Sequence, residues 1–277
     1  MNIEKCVTDA GVSIRYAVQE LPSSSPWLVL IFPFGLKVEF AEVFFDHFGG
    51  QYSLVCCESR LVFHDIDKQV GKEAFQIQEH VSDVDAVCKL LGIDKATLVG
   101  YCSGAGVALS LVNKFPGRFE QLLLVHGEYA MLGRDDCVTQ IGKDIDSLLP
   151  LAGMNLDSAQ MIMQSLNSHA KASTDDISGH ADMNLPYTDP RFLFRYANSY
   201  MAYRTVDFEE RAKQIPLKTF VMTGHQDSHT NVNSSTAIHQ CLPDSEIYID
   251  DDADHYGILR KDSNTLNQIE CFLADEL

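Results

Sequence analysis

Short unbroken apolar runs alternate along the chain with stretches whose apolar residues recur every three to four positions, which predicts strands and helices taking turns. Trp27 to Phe32 (WLVLIF), Tyr52 to Cys56, Thr97 to Val99, Gln121 to Val125, Thr219 to Thr223 (TFVMT) and Ser245 to Ile249 read as strands. Helical spacing covers Glu39 to Phe48, Phe75 to Leu91, Gly104 to Phe115 and Thr265 to Leu273. This rhythm implies an α/β fold: a mostly parallel central sheet flanked by helices. The segment up to about Glu20 reads as an antiparallel hairpin feeding that sheet.

Between the strands at Gln121 to Val125 and Thr219 to Thr223 lie about ninety residues with helical stretches and no strand pattern, too many for a plain connection. Helices are expected at Asp135 to Leu149, Asp157 to Ala170 and Pro190 to Val206, with a polar stretch from Ser173 to Asn184. The expected organisation is one domain, its core at 1–132 and 214–277 and an inserted helical lid at 133–213. No linker composition and no internal repeat divides the chain.

Composition narrows the function. With 45% hydrophobic and 22% charged residues among 277, the chain has ample material for a folded core. Its formal charge of −18, from 39 acidic and 21 basic residues, argues against nucleic acid or an anionic membrane as partner. No apolar run is long enough to span a bilayer and none follows a basic start, so a cytoplasmic location is expected. The eight cysteines are scattered without C-x-x-C spacing, which points to reduced thiols and to no metal site. Adjacent Cys56 and Cys57 read as small buried hydrophobes.

Gly92 to Leu111, GIDKATLVGYCSGAGVALSL, reads as a helix end, a short strand and a small-residue turn opening a second helix. A side chain at the tip of so tight a turn needs glycine two positions before and after it, where backbones crowd. Gly100 and Gly104 bracket Cys102 in that way, giving G-x-C-x-G. Ser103 does not fit the frame, because Tyr101 and Ala105 would stand at the glycine positions. A helix N-terminus and a nearby histidine would favour the attacking thiolate.

The stretch resembles the "LVGHSxGG" signature of α/β-hydrolases, with cysteine in place of serine. That resemblance implies a histidine after the last strand and an acid after the preceding one, in the order nucleophile, acid, histidine. His255, in SEIYIDDDADHYGI, matches the family's "GxGH" loop with Asp254 replacing a glycine, an added charge that would favour imidazolium. Asp227, in TFVMTGHQD, has the expected spacing from Gly224, and Glu128 in LLLVHGEY is the second choice for the acid. His126 beside it, and His225 and His229 around Asp227, are candidates for lining the site. The oxyanion hole would use the N–H of Ser103 and that of Phe34 in FPFG, with Gly35 next in register. Glu58 and Arg60 in CESRL stand where "DxRG" is common and read as structural.

A Cys102–His255–Asp227 set would form an acyl-cysteine thioester, which suits thioester substrates and passage of the acyl group to water or another nucleophile, with no cofactor. With its lid, the chain resembles stand-alone thioesterases and acyl-processing hydrolases of polyketide or nonribosomal peptide pathways, some of which cyclise their products. The implied partners are a small acyl thioester or ester and an acyl or peptidyl carrier protein. The alternatives are a non-catalytic, ligand-binding member of the fold and a plain carboxylesterase. Phe192, Phe194, Tyr196, Tyr200, Met201 and Tyr203, with Met161 and Met163, are candidates for an acyl tunnel or for ordinary helix packing.

Overall fold

The computed structural model describes residues 1–22, 24–131, 133–170 and 181–274. In chain order the elements are β1 (Asn2–Val7), β2 (Ser13–Gln19), β3 (Trp27–Ile31), α1 (Glu42–Phe48), β4 (Ser53–Cys57), α2 (Ile77–Leu90), β5 (Ala96–Tyr101) and α3 (Ser103–Lys114). There follow β6 (Phe119–Val125), α4 (Gln140–Ala152), α5 (Leu156–Ala170), α6 (Pro190–Tyr203), α7 (Phe208–Ala212), β7 (Lys218–Gly224), α8 (Val232–Cys241), β8 (Ser245–Asp250) and α9 (Asn264–Ala274). The strands form one sheet in the order β1-β2-β4-β3-β5-β6-β7-β8. β1 and β2 pair antiparallel, as do β2 and β4, and every later pairing is parallel.

Alternation along the strands divides the core in two. Val29, Ile31, Val55, Leu98, Leu122 and Leu124 face a layer containing α2 and α3. Their neighbours Leu28, Leu30, Leu54, Val99, Leu123 and Val125 face α1 and α9, whose Phe44, Phe48, Leu266 and Phe272 complete the other layer. Both faces of the central strands are thus dry, which is why they appear in the sequence as continuous apolar runs. Each such aliphatic side chain contributes about 1.5–3 kcal/mol of burial.

Helices α4, α5 and α6 share a separate small core of Leu149, Ala152, Ala159, Leu193 and Ala197. Arg195 ties this layer to the sheet: its buried guanidinium donates to the carbonyls of Leu61, His64, Asp65, Ile66 and Lys68 in the β4–α2 connection.

The element boundaries depart from the sequence reading in a few places. The helix expected from Glu39 begins as a 3-10 turn over Val38–Ala41, and that expected from Phe75 follows a 3-10 turn over Lys72–Phe75. The helix expected at Asp135 starts with a 3-10 turn over Asp135–Cys137, and α4 begins where Thr139 accepts from the Gly142 N–H as its cap. Of the polar stretch from Ser173 to Asn184, residues 173–180 lie outside the described residues, and a 3-10 segment runs over Ala181–Tyr187. Helix α8 has no counterpart in the sequence reading, because Ser234 and Ser235 are buried on it beside Ala237 and Ile238 and blur its apolar period.

Candidate functional site

Cys102 stands between the last residue of β5 and the first of α3, with φ 54° and ψ −126°. A non-glycine residue held in such a conformation costs about 1–3 kcal/mol unless its surroundings fix it. Here they do: the Cys102 N–H donates to the Val125 carbonyl at 3.1 Å, and its own carbonyl accepts from Ala105 and Glu128. A Cβ at Gly104 would lie 2.1 Å from the Ile31 carbonyl oxygen, and one at Gly100 2.6 Å from the Ala105 Cα, so both flanking glycines are needed for backbone packing. Cys102 is partly exposed, whereas Cys6, Cys56, Cys57, Cys88 and Cys137 are buried. Burial pushes the Cys56 and Cys57 thiols well up.

His255 stands on the loop after β8, and the Cys102 sulfur is among the groups that act on its ring. Its Nδ1 lies 2.8 Å from Asp227 Oδ2, on the loop after β7. Burial alone would drive the ring neutral, but the charge on the Cys102 sulfur and hydrogen bonds to Asp227 and Cys102 overcome it and raise its pKa to about 10. Asp227 is held by a dense set of donors. Its Oδ1 accepts from the His229 N–H at 2.8 Å and the Thr230 N–H at 2.9 Å, and its Oδ2 from the Thr230 hydroxyl at 2.6 Å and His126 Nδ1 at 2.9 Å. Burial would raise this carboxyl, and the bonds from His126 and His255 outweigh it, leaving Asp227 well below the ordinary carboxylate range.

Glu128, the second choice for the acid, is spent locally: its Oε1 accepts from the Ala130 N–H at 2.7 Å, and burial raises its pKa. Asp254, whose charge was expected to favour imidazolium, has partners of its own. Its carboxylate pairs with Arg260 and takes the Tyr256 N–H. Glu58 is bound to Arg15 and His64, and Arg60 to Glu79 and Asp83, in structural networks.

The histidines divide by position. His225 is half exposed, near Asp251. His229 stacks on His255 with ring centroids 4.8 Å apart and bonds the Tyr256 hydroxyl, and burial and the His255 charge lower its pKa to about 4. His126, which the sequence offered only as a lining residue, is completely buried, has φ 47° and shares Asp227 with His255. Its Nε2 has no partner among the described residues. The one sequence signal for it is its place at the carboxyl end of β6, next to the strand that delivers Asp227. Donor atoms of His126, Asp227 and His255 lie within 4.8 Å of one another, but both Nδ1 atoms are already committed to the carboxylate rather than to a metal.

The expected oxyanion donors are both at the elbow. Ser103 opens α3, so its N–H has no acceptor within the helix. The Phe34 N–H, however, donates to the Ser103 side-chain oxygen at 3.1 Å, and the Gly35 N–H to the Ser59 hydroxyl at 3.2 Å.

A cavity of about 810 Å³ opens beside the elbow, lined by Phe34, Tyr101, His255 and Tyr256 from the sheet side and by Ile145, Leu149, Ile162 and Leu193 from α4 to α6. Of the aromatic and methionine residues proposed for a tunnel, Tyr196 lines this cavity. Phe192 instead packs on Phe63, Tyr203 between Phe34 and Phe208, and Tyr200 bonds Asp146. Phe194 and Met163 join the small core of α4 to α6, and Met161 is 68% exposed.

No family model matches the chain. A curated relative, the L-allo-isoleucyltransferase of Pseudomonas savastanoi pv. glycinea, is 27% identical over 164 residues, which is 58% of this chain and 56% of that protein, so the match spans little more than half the relative's length. Among solved structures, a bacterial membrane phospholipase A superposes with a TM-score of 0.76 at 16% identity, covering 99% of this chain and 86% of that one. An esterase from Rhodococcus sp. ECU1013 gives 0.74 at 18% identity over 99% of both chains, and the enol-lactonase of Burkholderia xenovorans LB400 gives 0.72 at 17% over 98% of this chain and all of that one. Strand order, elbow and these likenesses agree: the chain has the α/β-hydrolase fold.

Proposed function

We propose that this protein is an acyl-processing enzyme that takes an acyl group from a thioester or activated ester onto Cys102 and passes it to a second nucleophile, with the helices of 133–213 as its lid. The observation that carries the reading is the set Cys102, His255 and Asp227, with the sulfur at a strained elbow and the His255 ring bonded to Asp227 and under the influence of that sulfur.

In this reading the thiolate attacks the carbonyl carbon and the His255 imidazolium gives its proton to the departing thiol or alcohol. Acylation removes the negative sulfur, which is one of the causes that hold the proton on the ring, so the neutral imidazole that remains is suited to act as base. It then takes the proton of the acceptor, the acceptor attacks the acyl-cysteine, and the sulfur leaves as thiolate beside a restored imidazolium. Asp227 keeps Nδ1–H directed at itself and Nε2 toward sulfur.

Transfer is favoured over hydrolysis by the relative named an L-allo-isoleucyltransferase, which makes an aminoacyl group carried as a thioester the first substrate class to try. The esterase and enol-lactonase neighbours support the second reading, simple ester hydrolysis. The two part on product. With isoleucyl and hexanoyl N-acetylcysteamine thioesters and an added thiol acceptor, transfer yields the new thioester faster than free acid, and Cys102→Ala abolishes both. Free acid as the dominant product with p-nitrophenyl esters as the best donors would establish the hydrolase, and no turnover with any donor would leave a binding protein.

A further inference from the structure

The second oxyanion donor is sought in the loop after β3, yet from Pro33 to Leu36 each amide there is absent or engaged. Pro33 has no N–H. The Phe34 N–H goes to the Ser103 side-chain oxygen, the Gly35 N–H to the Ser59 hydroxyl, and the Leu36 N–H to the Pro33 carbonyl. Ser103 is itself 6% exposed and follows the nucleophile directly. Its oxygen accepts at 3.1 Å from Phe34, so it stands where a substrate oxyanion bound by that amide would stand. Its own hydrogen has no acceptor among the described residues and is free to donate.

We propose that the Ser103 hydroxyl is a catalytic oxyanion donor, backed by the Phe34 amide, so that this amide acts on the substrate through the hydroxyl rather than directly. This rests on the acyl-transfer reading. A hydroxyl that accepts a hydrogen bond is polarised and donates more strongly, and this one lies at the positive end of α3. It forms and breaks no covalent bond. As negative charge grows on the carbonyl oxygen of the tetrahedral species, the Ser103 N–H and O–H both point at it.

The competing account is that the hydroxyl merely fills an empty hole and must turn away when substrate enters. Ser103→Ala and Ser103→Thr separate the two when Cys102 acylation by hexanoyl-N-acetylcysteamine is timed by intact mass, beside alkylation of Cys102 by iodoacetamide followed on its peptide. Alkylation displaces iodide without developing an oxyanion, so it reports only the thiolate and an intact elbow. The expected result is acylation slowed about tenfold or more in Ser103→Ala, given what one oxyanion donor contributes. Alkylation should stay within about twofold of wild type, and Ser103→Thr should recover much of the loss. Acylation by Ser103→Ala at or above the wild-type rate would overturn the proposal, as would an equal slowing of both reactions, which marks a structural role. A wild-type protein that alkylates but never acylates would overturn the acyl-transfer reading itself.

Discussion

At the scale of single residues, the site depends on where one proton rests. Burial works against the charged ring of His255, and the adjacent sulfur and Asp227 reverse that preference, so the ring stays protonated up to about pH 10. Alkylation of Cys102 by iodoacetamide reads whether the ring acts on the sulfur. His255→Asn removes the positive partner, and the rate near pH 6.5 should fall by about tenfold or more and climb with pH; a variant with a wild-type pH profile would show that the ring does not govern the sulfur. Asp227→Asn should lower turnover by about 10²–10⁴-fold with the fold intact by circular dichroism. The order Cys102, Asp227, His255 was implied by the resemblance to α/β-hydrolases, and the strands before Cys102 and Asp227 are recognisable by their apolar runs. The sharing of Asp227 by His126 could not, since it joins side chains 101 positions apart. The capture of the Phe34 amide by Ser103 was hidden for the same reason, as a contact across 69 positions set by the fold.

At the scale of elements, the elbow works because β3, β5 and α3 approach more closely than side chains permit. Gly104→Ala would place a methyl 2.1 Å from the Ile31 carbonyl oxygen, where backbone cannot yield cheaply. It should cost about 3 kcal/mol or more, or give no soluble protein. Gly117→Ala, with nothing within 4 Å of the added carbon, should change urea stability by less than about 0.5 kcal/mol. Equal effects of the two substitutions would remove the steric account of the motif. Parallel strands buried on both faces showed themselves as continuous apolar runs, which is why β3 to β7 were found to within a residue or two, whereas the edge strand β8 is half exposed and showed itself by its alternation. Helix α8 was not found because it buries serine hydroxyls, and hydropathy alone gives such a face no period.

At the scale of the whole molecule, a sheet with two dry faces carries at its carboxyl edge a cavity closed by helices that have their own small core. The two parts are joined by the Arg195 guanidinium, which serves a set of carbonyls in the β4–α2 connection. Arg195→Met leaves those acceptors, most of them partly buried, without a donor, a loss of about 2–4 kcal/mol. It should also raise proteolytic cleavage near residues 61–68 and weaken substrate binding more than it slows turnover. An inserted helical segment was evident in the sequence from its length and periodicity. Which faces of its helices meet the cavity was not, because aromatic side chains at helical spacing serve a packed interior as readily as a tunnel, and here Tyr203 packs inside while the half-buried Phe192 rests on Phe63. Whether sulfur carries the acyl group can be read by mixing the protein with a hexanoyl or isoleucyl thioester, quenching in acid within seconds and mapping the added mass by tandem mass spectrometry. The acyl group is expected on Cys102, labile to hydroxylamine and missing from Cys102→Ala; an acyl group on Ser103 or any other residue, or an unmodified protein while substrate is consumed, would rule out the cysteine as carrier.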